Sequence, residues 1–314
     1  MSATFKNKET FKDTLDDIVR HAGQIVLGKE HEIRLAITCL LARGHLLIED
    51  LPGLGKTTLA HVLAQSLGLQ YHRIQFTSDL LPADILGVSV YNKEQGGFHF
   101  QPGPIFAELI LADEVNRATP KAQSALLEAM EENQVTVEGE TRQLPEPFFV
   151  IATQNPTYQI GTFPLPESQL DRFLMCITLG YPDNRAERAL LAGEDRREML
   201  KSLKACISKE TLCHLQQAVK TIQVTDALLD YIQALLDFSR QSPQISFGLS
   251  PRAGLALLHC AKAWALMEGR DYVIPEDVQI IMPHVVAHRL KPVAAREEHD
   301  LSAMIALLES VPIP

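Results

Sequence analysis

The sequence predicts an α/β fold, in which a parallel sheet with two inserted β-hairpins is followed by a smaller region built only of helices. Three observations predict this class. Short apolar runs of strand length alternate with helical periodicity in the first part of the chain, a glycine-rich turn joins one such run to a helix, and no strand-like run recurs after Tyr181-Pro182. We therefore expect an α/β core over residues 1–182 and a helical domain over residues 183–314.

The glycine-rich turn lies between the apolar run Leu46–Ile48 and a helix that ends near Gly68. A strand, a glycine loop and a helix in this order form the phosphate-binding P-loop, whose backbone N–H groups face the phosphates. We expect Lys56 to reach the β- and γ-phosphates and the Thr57 hydroxyl to bind Mg²⁺. Asp50 departs from the usual pattern, which has a glycine there, and a turn that binds nothing is the less favoured alternative. The loop residues are Pro52, Gly53, Leu54, Gly55, Lys56, Thr57 and Thr58.

Further apolar runs predict the other strands of the parallel sheet. Two segments with central turn residues, one within Ser78–Pro104 and one at Val135–Leu144, predict β-hairpins inserted between these strands. Spacing alone leaves open whether each hairpin is a surface decoration or carries function. The runs predicted as sheet strands are Tyr71–Phe76, Glu108–Ala112, Phe148–Thr153 and Leu174–Leu179, and the first hairpin pairs Val88–Tyr91 with Gly97–Phe100.

Helical periodicity predicts two helices before the P-loop, one from Phe11 to about Ile25 and a second that ends before Gly44. Past residue 182, typical starting residues mark three helices. Thr225 is suited to cap one helix, Ser250-Pro251 begins the next, and Ile274-Pro275 begins a third. These patterns predict the helical domain.

Polar side chains follow two of the predicted strands. Glu108–Ala112 ends at Asp113 and Glu114, and an open α/β sheet binds its ligand at this carboxyl edge. In a P-loop enzyme the first carboxylate supports Mg²⁺ and the second orients or deprotonates the attacking water. Asn155 follows Phe148–Thr153, where its amide can hydrogen-bond the γ-phosphate and the water. The alternatives are two solvated acids at a strand end and an ordinary Asn-Pro turn.

Two arginines complete the candidate residues. Arg172 precedes the last predicted strand. A surface charge, a structural partner of an aspartate and an arginine finger that stabilises a transferring phosphoryl group all remain open for it. Arg252 lies in the first turn of the helix that begins at Ser250-Pro251, where the helix dipole opposes a cation. That position is explained if Arg252 faces an anion.

Composition and charge restrict the classes of function. A net charge of −10 and a pI of about 5.6 argue against a surface built for general nucleic-acid binding. The amino-terminus is polar, the five cysteines are scattered without a C-x-x-C pair, and no apolar run is long enough to span a bilayer. We expect a cytoplasmic protein with reduced thiols and no transmembrane segment.

These residues together resemble the MoxR family of AAA+ ATPases. The resemblance extends from about Gln24 to Leu290, and its long matching runs are more specific than a P-loop alone. It implies an AAA+ P-loop core in which the two hairpins are the helix-2 insert and the pre-sensor-1 insert, followed by a small α-helical lid domain. Asp50 in place of glycine recurs in MoxR-like chains. The densest runs are Ile74–Gly87, Pro102–Glu132, Phe148–Pro156 and Leu165–Leu174.

The resemblance also implies a role for each candidate residue, with ATP and Mg²⁺ as the bound groups. Lys56 and Thr57 match the Walker A pair. Asp113 and Glu114 match the Walker B pair, in which Asp113 reaches Mg²⁺ through water and Glu114 activates the attacking water. The remaining matches are Asn155 to sensor 1, Arg172 to the arginine finger, Arg252 to sensor 2, and Val26, Leu27 and Gly28 to the segment that contacts adenine.

Family membership would imply a homo-oligomeric ring, usually a hexamer, in which each arginine finger completes the neighbour's site. Members are chaperone-like. They hydrolyse Mg-ATP to remodel, activate or mature a partner protein or complex, typically with a separate protein that carries a von Willebrand factor A domain.

Two other classes of function remain. A nucleic-acid motor is the alternative among helix-2-insert relatives, but the acidic charge and the few cations of the hairpins count against it. A nucleotide-gated scaffold without turnover is disfavoured because Glu114, Asn155 and Arg172 are all present.

Overall fold

The structure, a computed structural model, describes residues 2–94, 96–155, 162–193, 196–291 and 299–313. For residues 2–10, 197 and 299–301 it describes the backbone alone. Pro156, the last residue of one of the family-like runs, lies outside the described residues. In this part of the chain no helix is long and apolar enough to cross a membrane, and Cys39, Cys176, Cys206, Cys213 and Cys260 are free thiols.

A parallel sheet of five strands forms the centre of the molecule, and each strand falls within or beside a predicted apolar run. The strands in chain order are β1 (Leu46–Glu49), β2 (Tyr71–Gln75), β3 (Gly87–Asn92), β4 (Gly97–Pro102), β5 (Leu109–Asp113), β6 (Gln134–Val137), β7 (Glu140–Gln143), β8 (Phe149–Gln154) and β9 (Met175–Ile177). The central sheet has the order β2-β5-β8-β1-β9. Strands β3–β4 and β6–β7 pair separately as antiparallel hairpins, which confirms both predicted insertions.

The helices surround this sheet and fill the second half of the chain. In order they are α1 (Ser2–Gly23), α2 (Glu30–Leu41), α3 (Lys56–Ser66), α4 (Pro82–Leu86), α5 (Pro120–Glu132), α6 (Glu167–Leu170), α7 (Asn184–Ala192), α8 (Arg196–Ser202), α9 (Lys209–Lys220), α10 (Asp226–Gln241), α11 (Pro251–Met267), α12 (Pro275–Val286) and α13 (His299–Glu309). Helix α1 begins nine residues earlier than its apolar periodicity predicts, because the polar stretch before Phe11 carries no apolar stripe.

Residues of the sheet alternate between two apolar layers, as the period of a strand requires. In β1, Leu46 and Ile48 pack against α1–α3 and the carboxyl-terminal helices, whereas Leu47 packs against α5 on the opposite face. All five residues of β5 are buried, because a parallel sheet is covered on both faces. The carboxyl edge of the sheet is therefore the place where polar side chains reach open space.

The carboxyl-terminal helices begin as predicted. The side chains of Thr225 and Ser250 accept hydrogen bonds from backbone N–H groups in the first turns of α10 and α11, and Asp277 accepts from the Ile274 N–H at the start of α12. Helix α11 packs on α1, α2 and α12, so one apolar layer is continuous across the predicted boundary at residue 182. The division into two domains stays a prediction.

His45, just before β1, supports the amino edge of the sheet. Its Nε2 atom hydrogen-bonds the Met130 carbonyl over 3.1 Å, and its Nδ1 accepts from the Val150 N–H over 3.0 Å. The buried ring is thus neutral, with the proton on Nε2. Burial lowers the pKa of His45 to about 4.

We expect acid to destabilise the protein through His45. Because its folded pKa lies below its unfolded value near 6.5, the unfolded chain binds more protons as the pH falls, and stability is lost between those two values. From pH 7 to pH 5 the loss should be about 2 kcal/mol for this group. Urea unfolding of the wild type and of His45→Gln at pH 7 and at pH 5 measures this loss of stability. The variant should lose less stability on acidification, whereas His72→Gln at an exposed position should match wild type.

Candidate active site

The P-loop joins β1 to α3 at the carboxyl edge of the sheet. Gly53 and Gly55 have φ angles of 86° and 91°, a region that favours glycine. A Cβ atom built on either residue meets nothing within 4 Å, so the space beside both glycines is open. Gly55 caps α3 without a side-chain hydrogen bond. The N–H groups of this loop and of the first turn can therefore bind an anion, which fits the phosphates of a nucleotide.

Asp50 ties this loop to the segment that follows the neighbouring strand β9. Its Oδ2 accepts hydrogen bonds from the N–H groups of Leu179 and Gly180, each at 2.7 Å. Oδ1 accepts from the Leu51 N–H at 2.8 Å. The φ angle of Asp50 is not positive, so its backbone has no need of the glycine usual at this position. The departure from the motif therefore has a structural role of its own.

Lys56 and Glu114 are joined through the side chain of Asn155. The Lys56 ammonium donates to the Asp50 carbonyl at 2.6 Å and to Asn155 Oδ1 at 3.4 Å. Asn155 Nδ2 donates to Glu114 Oε1 at 3.0 Å. Because an ammonium only donates and a carboxylate only accepts, these partners fix the orientation of the amide. Burial lowers the pKa of Lys56, and nearby carboxylates, with Asp50 the strongest, oppose that shift.

A second amide bridge was not predicted from the sequence. Gln75 accepts from Arg73 Nη2 at 2.6 Å and donates to Glu114 Oε2 at 3.0 Å. Arg73 Nη2 also donates to Asp113 Oδ2 at 2.6 Å. Arg73 and Gln75 are two positions apart on β2, so their side chains lie on the same face of the strand. Because β2 pairs with β5, that face brings them beside the two carboxylates. Their i, i+2 spacing in a predicted strand is the signal that could have identified them.

Asp113 and Glu114, the two carboxylates predicted to form the Walker B pair, are held in different ways. Thr153 Oγ1 donates to Asp113 Oδ1 at 2.5 Å and accepts from the Glu114 N–H at 2.8 Å. Glu114 has φ 56°, a left-handed conformation that is strained for a residue with a side chain. Arg117 Nη1 reaches Glu114 Oε2 at 2.9 Å. Every Asp113 oxygen already accepts a hydrogen bond, which suits a role toward Mg²⁺ through water rather than by direct coordination.

The segment predicted to contact adenine lies near the same edge. Gly28 has φ 67°, and a Cβ atom added there would lie 3.1 Å from Ala186 Cβ of α7. Lys29, the next residue, donates to the Tyr181 carbonyl at 3.1 Å. The chain between residues 179 and 186 therefore connects Asp50 of the phosphate loop to the turn formed by Val26, Leu27 and Gly28.

Arg172 and Arg252 are not part of this cluster. They bind the two oxygens of one carboxylate, Glu131, with Arg172 Nε at 2.8 Å from Oε2 and Arg252 Nη2 on Oε1. Glu131 adjoins Met130, whose carbonyl is bound by His45 at the amino edge of the sheet. The structure thus brings Lys56, Asp113, Glu114 and Asn155 together, and it places both arginines at the opposite edge.

A phosphate loop, a carboxylate pair and an amide at the carboxyl edge of this sheet define a P-loop nucleoside triphosphatase fold. The chain matches the model for the ATPase family associated with various cellular activities over residues 45–175, and the AAA lid domain over residues 237–306. The chain belongs to the MoxR family of AAA+ ATPases.

Individual relatives resemble the protein along most of its length. The "Uncharacterized protein YeaC" of Bacillus subtilis is 44% identical over 310 residues, which cover 98% of this chain and 97% of the relative. The "Chaperone MoxR1" of Mycobacterium tuberculosis is 39% identical over 88% of this chain and 75% of its own length. A crystal structure from Cytophaga hutchinsonii, assigned as an ATPase, has a TM-score of 0.89 at 34% identity and covers 100% of this chain and 98% of that one.

We expect Asp50→Asn to loosen the segment that follows β9. The amide has one accepting oxygen where the carboxylate has two, so it cannot accept from the Leu51, Leu179 and Gly180 N–H groups together. The bonds that it keeps also lose their charge assistance, and a bond to a charged group contributes about 1.5–3 kcal/mol. Hydrogen exchange of the Leu179 and Gly180 amides should become faster. Asp230→Asn, at an exposed position of α10, is the matched control and should leave both amides protected. Unchanged exchange in Asp50→Asn would show that these bonds do not hold the segment.

Proposed function

We propose that the protein hydrolyses Mg-ATP at sites shared between subunits of a homo-oligomeric ring, most simply a hexamer, and that it uses the cycle to remodel a partner protein. One observation carries the proposal. The candidate arginines lie at the opposite edge of the sheet from the P-loop of the same chain, so they can act only on a nucleotide bound by a neighbour.

The size of the separation supports this arrangement. His45 lies at the amino edge of the sheet, close to the two arginines, and Asp50 lies at the P-loop. The extended chain between these two residues spans about 16 Å. The Leu174 N–H donates to the His45 carbonyl at 2.8 Å. Arg172, two residues before Leu174, is therefore near the His45 end of β1, away from Asp50. A head-to-tail contact between identical subunits brings opposite edges together and closes into a ring when the rotation permits.

Charge at the arginines' edge also suits a triphosphate. A cavity of about 330 Å³ there is lined by four arginines and two carboxylates, although the whole chain carries a net charge of −10. The local excess of positive charge complements an anion presented by a neighbour. The charged lining residues are Arg43, Arg172, Arg252 and Arg289, with Glu131 and Asp171.

Each side chain would have a distinct task in hydrolysis. Lys56 and the loop N–H groups would bind the phosphates, and Thr57 with Asp113 would hold Mg²⁺, which when bound neutralises part of the phosphate charge. Glu114 accepts three donors, from Gln75, Asn155 and Arg117. To act as the base it would exchange one of them for the attacking water and take the proton of that water.

The hairpins favour a protein target over nucleic acid. Val88, Val90, Tyr91 and Phe98 of the first hairpin are exposed, so its surface is apolar. In the second hairpin, Arg142 lies over the Phe100 ring at 3.9 Å and pairs with Glu140, which leaves little cationic surface for a phosphate backbone. A chaperone-named relative agrees with a protein substrate. We extend the proposal to a partner with a von Willebrand factor A domain and to work in the cytoplasm.

We expect the ATPase rate per chain to rise with protein concentration and then reach a plateau, because a shared site exists only in the assembled ring. Steady-state hydrolysis over a wide concentration range, with sizing at each point, measures this. Lys56→Ala should lose nucleotide binding under all conditions. Full activity of a monomer at the lowest concentration would contradict a shared site.

Mixing two inactive variants tests directly whether subunits share the site. We expect Glu114→Gln to bind ATP but to hydrolyse it about 10²–10⁴-fold more slowly, and Arg172→Ala to lose about 10³–10⁵-fold in rate while still binding ATP. In an equal mixture about one interface in four pairs an intact P-loop site with an intact arginine, so activity should return. Arg20→Ala, a change at an exposed position of α1, should behave as wild type. A mixture no faster than its components would exclude the shared site.

A further inference from the structure

We propose that Glu131 is a positioning residue for this hydrolysis: its carboxylate holds Arg172 and Arg252 side by side so that both face the phosphates bound by the neighbouring subunit. The inference rests on the proposed shared site. It assigns a task to a residue that lies in the family-like run Pro102–Glu132 but matches none of the motif positions named above.

The first support is the contact geometry. Glu131 Oε2 accepts from Arg172 Nε at 2.8 Å, and Oε1 accepts from Arg252 Nη2. The two guanidinium groups therefore share one carboxyl group, although 80 residues separate them in the chain. Without the negative charge the two cations would repel each other and separate. With it, the three groups together keep one excess positive charge for an anion.

The second support is that two of these charges oppose their own helices. Glu131 lies in the last turn of α5, and Arg252 lies in the first turn of α11. A helix dipole disfavours an anion at its carboxyl end and a cation at its amino end. Each placement costs helix stability on its own, and the two charges compensate each other only by meeting. The ion pair thus explains why Glu131 and Arg252 occupy helix positions that the helix dipole disfavours.

The third support is that hydrogen bonds hold together the backbone segments that carry the two arginines. Asp171 accepts from Arg289 Nε at 2.7 Å and from Ser250 Oγ at 3.2 Å. Arg289 Nη2 also donates to the Phe173 carbonyl at 2.7 Å. The backbone on either side of Arg172 is thereby fixed to the beginning of α11, which carries Arg252. What remains free is the direction of the two long side chains, and Glu131 sets it.

Glu131 retains its charge at neutral pH. The hydrogen bond from Arg252, with further help from the charge of Arg172, lowers the pKa of Glu131. The arginine side chains remain partly exposed, with 28% of Arg172 and 46% of Arg252 accessible. They can therefore contact an approaching phosphate while the carboxylate stays bound to them. If Glu131 instead held the arginines away from the neighbour's phosphates, removing its charge would raise the hydrolysis rate rather than lower it.

Glu131→Gln keeps the size of the side chain and removes its charge. We expect kcat for ATP to fall on the order of 10-fold, because misdirected arginines lose contacts made in the transition state. KM for ATP should change little, since ground-state binding depends on the subunit's own P-loop. Glu132→Gln is the matched control, because no ion pair joins Glu132 to either arginine among the residues that the structure describes. An unchanged or higher kcat in a folded, assembled Glu131→Gln ring would overturn the proposal.

Mixed rings separate positioning from a general structural role. Arg172→Ala supplies the intact P-loop site and Glu114→Gln supplies the intact arginines. Glu131→Gln added to the Glu114→Gln chain should abolish most of the restored activity, whereas the same change added to the Arg172→Ala chain should leave it in place. Equal losses in both chains, or none in either, would overturn the role of Glu131 while leaving the shared site intact. If the mixture of Arg172→Ala and Glu114→Gln chains, without any change at Glu131, fails to restore activity, the shared site is overturned and the role of Glu131 with it.

Discussion

The hydrogen bond from Asn155 to Glu114 is the contact on which the geometry of the site depends. It joins the end of β8 to the residue that follows β5, and through Asn155 Oδ1 it extends to Lys56 of the phosphate loop. A side-chain amide accepts from a cation through its oxygen and donates to an anion through its nitrogen at the same time. A carboxylate or a second cation at this position would leave one neighbour unpaired, so residue 155 must supply both an acceptor and a donor.

The same chemistry repeats one strand further out, where Gln75 lies between Arg73 and Glu114. Glu114 is therefore held by amides from two directions and by Arg117 from a third. Such a carboxylate cannot move independently of β2, β8 and the loop after β5. These hydrogen bonds thus form one continuous path from Lys56 through Asn155 and Glu114 to Gln75 of β2. The strained backbone of Glu114 persists because these contacts over-determine it.

The sequence was sufficient to predict the sheet, both hairpins and the helix starts at Thr225 and Ser250, because each rests on a local pattern of apolar spacing or capping. It also predicted that Lys56, Asp113, Glu114 and Asn155 meet at one edge, since parallel strands bring their ends together. The spacing of Arg73 and Gln75 shows that they share one face of a strand, but placing that face beside the carboxylates required knowing that β2 pairs with β5. Glu131 could not be found locally, because its partners come from two distant turns that only the tertiary fold brings to it. The packing of α11 on α1 and α2 was likewise beyond local pattern.

The length of the sheet explains why the proposed site would be divided between subunits. The sheet strands have three to six residues, too long for residues at both ends to reach one phosphate. Arginines that lie before β9 would therefore act on a phosphate bound by another molecule. In a separate subunit those arginines need an anion of their own, and Glu131 supplies it at the cost of opposing its helix dipole. Because the carboxylate offsets only one of the two positive charges, the edge remains attractive to a triphosphate. In the proposed ring the same three side chains would thus pair within one subunit and also contact the neighbouring subunit's nucleotide.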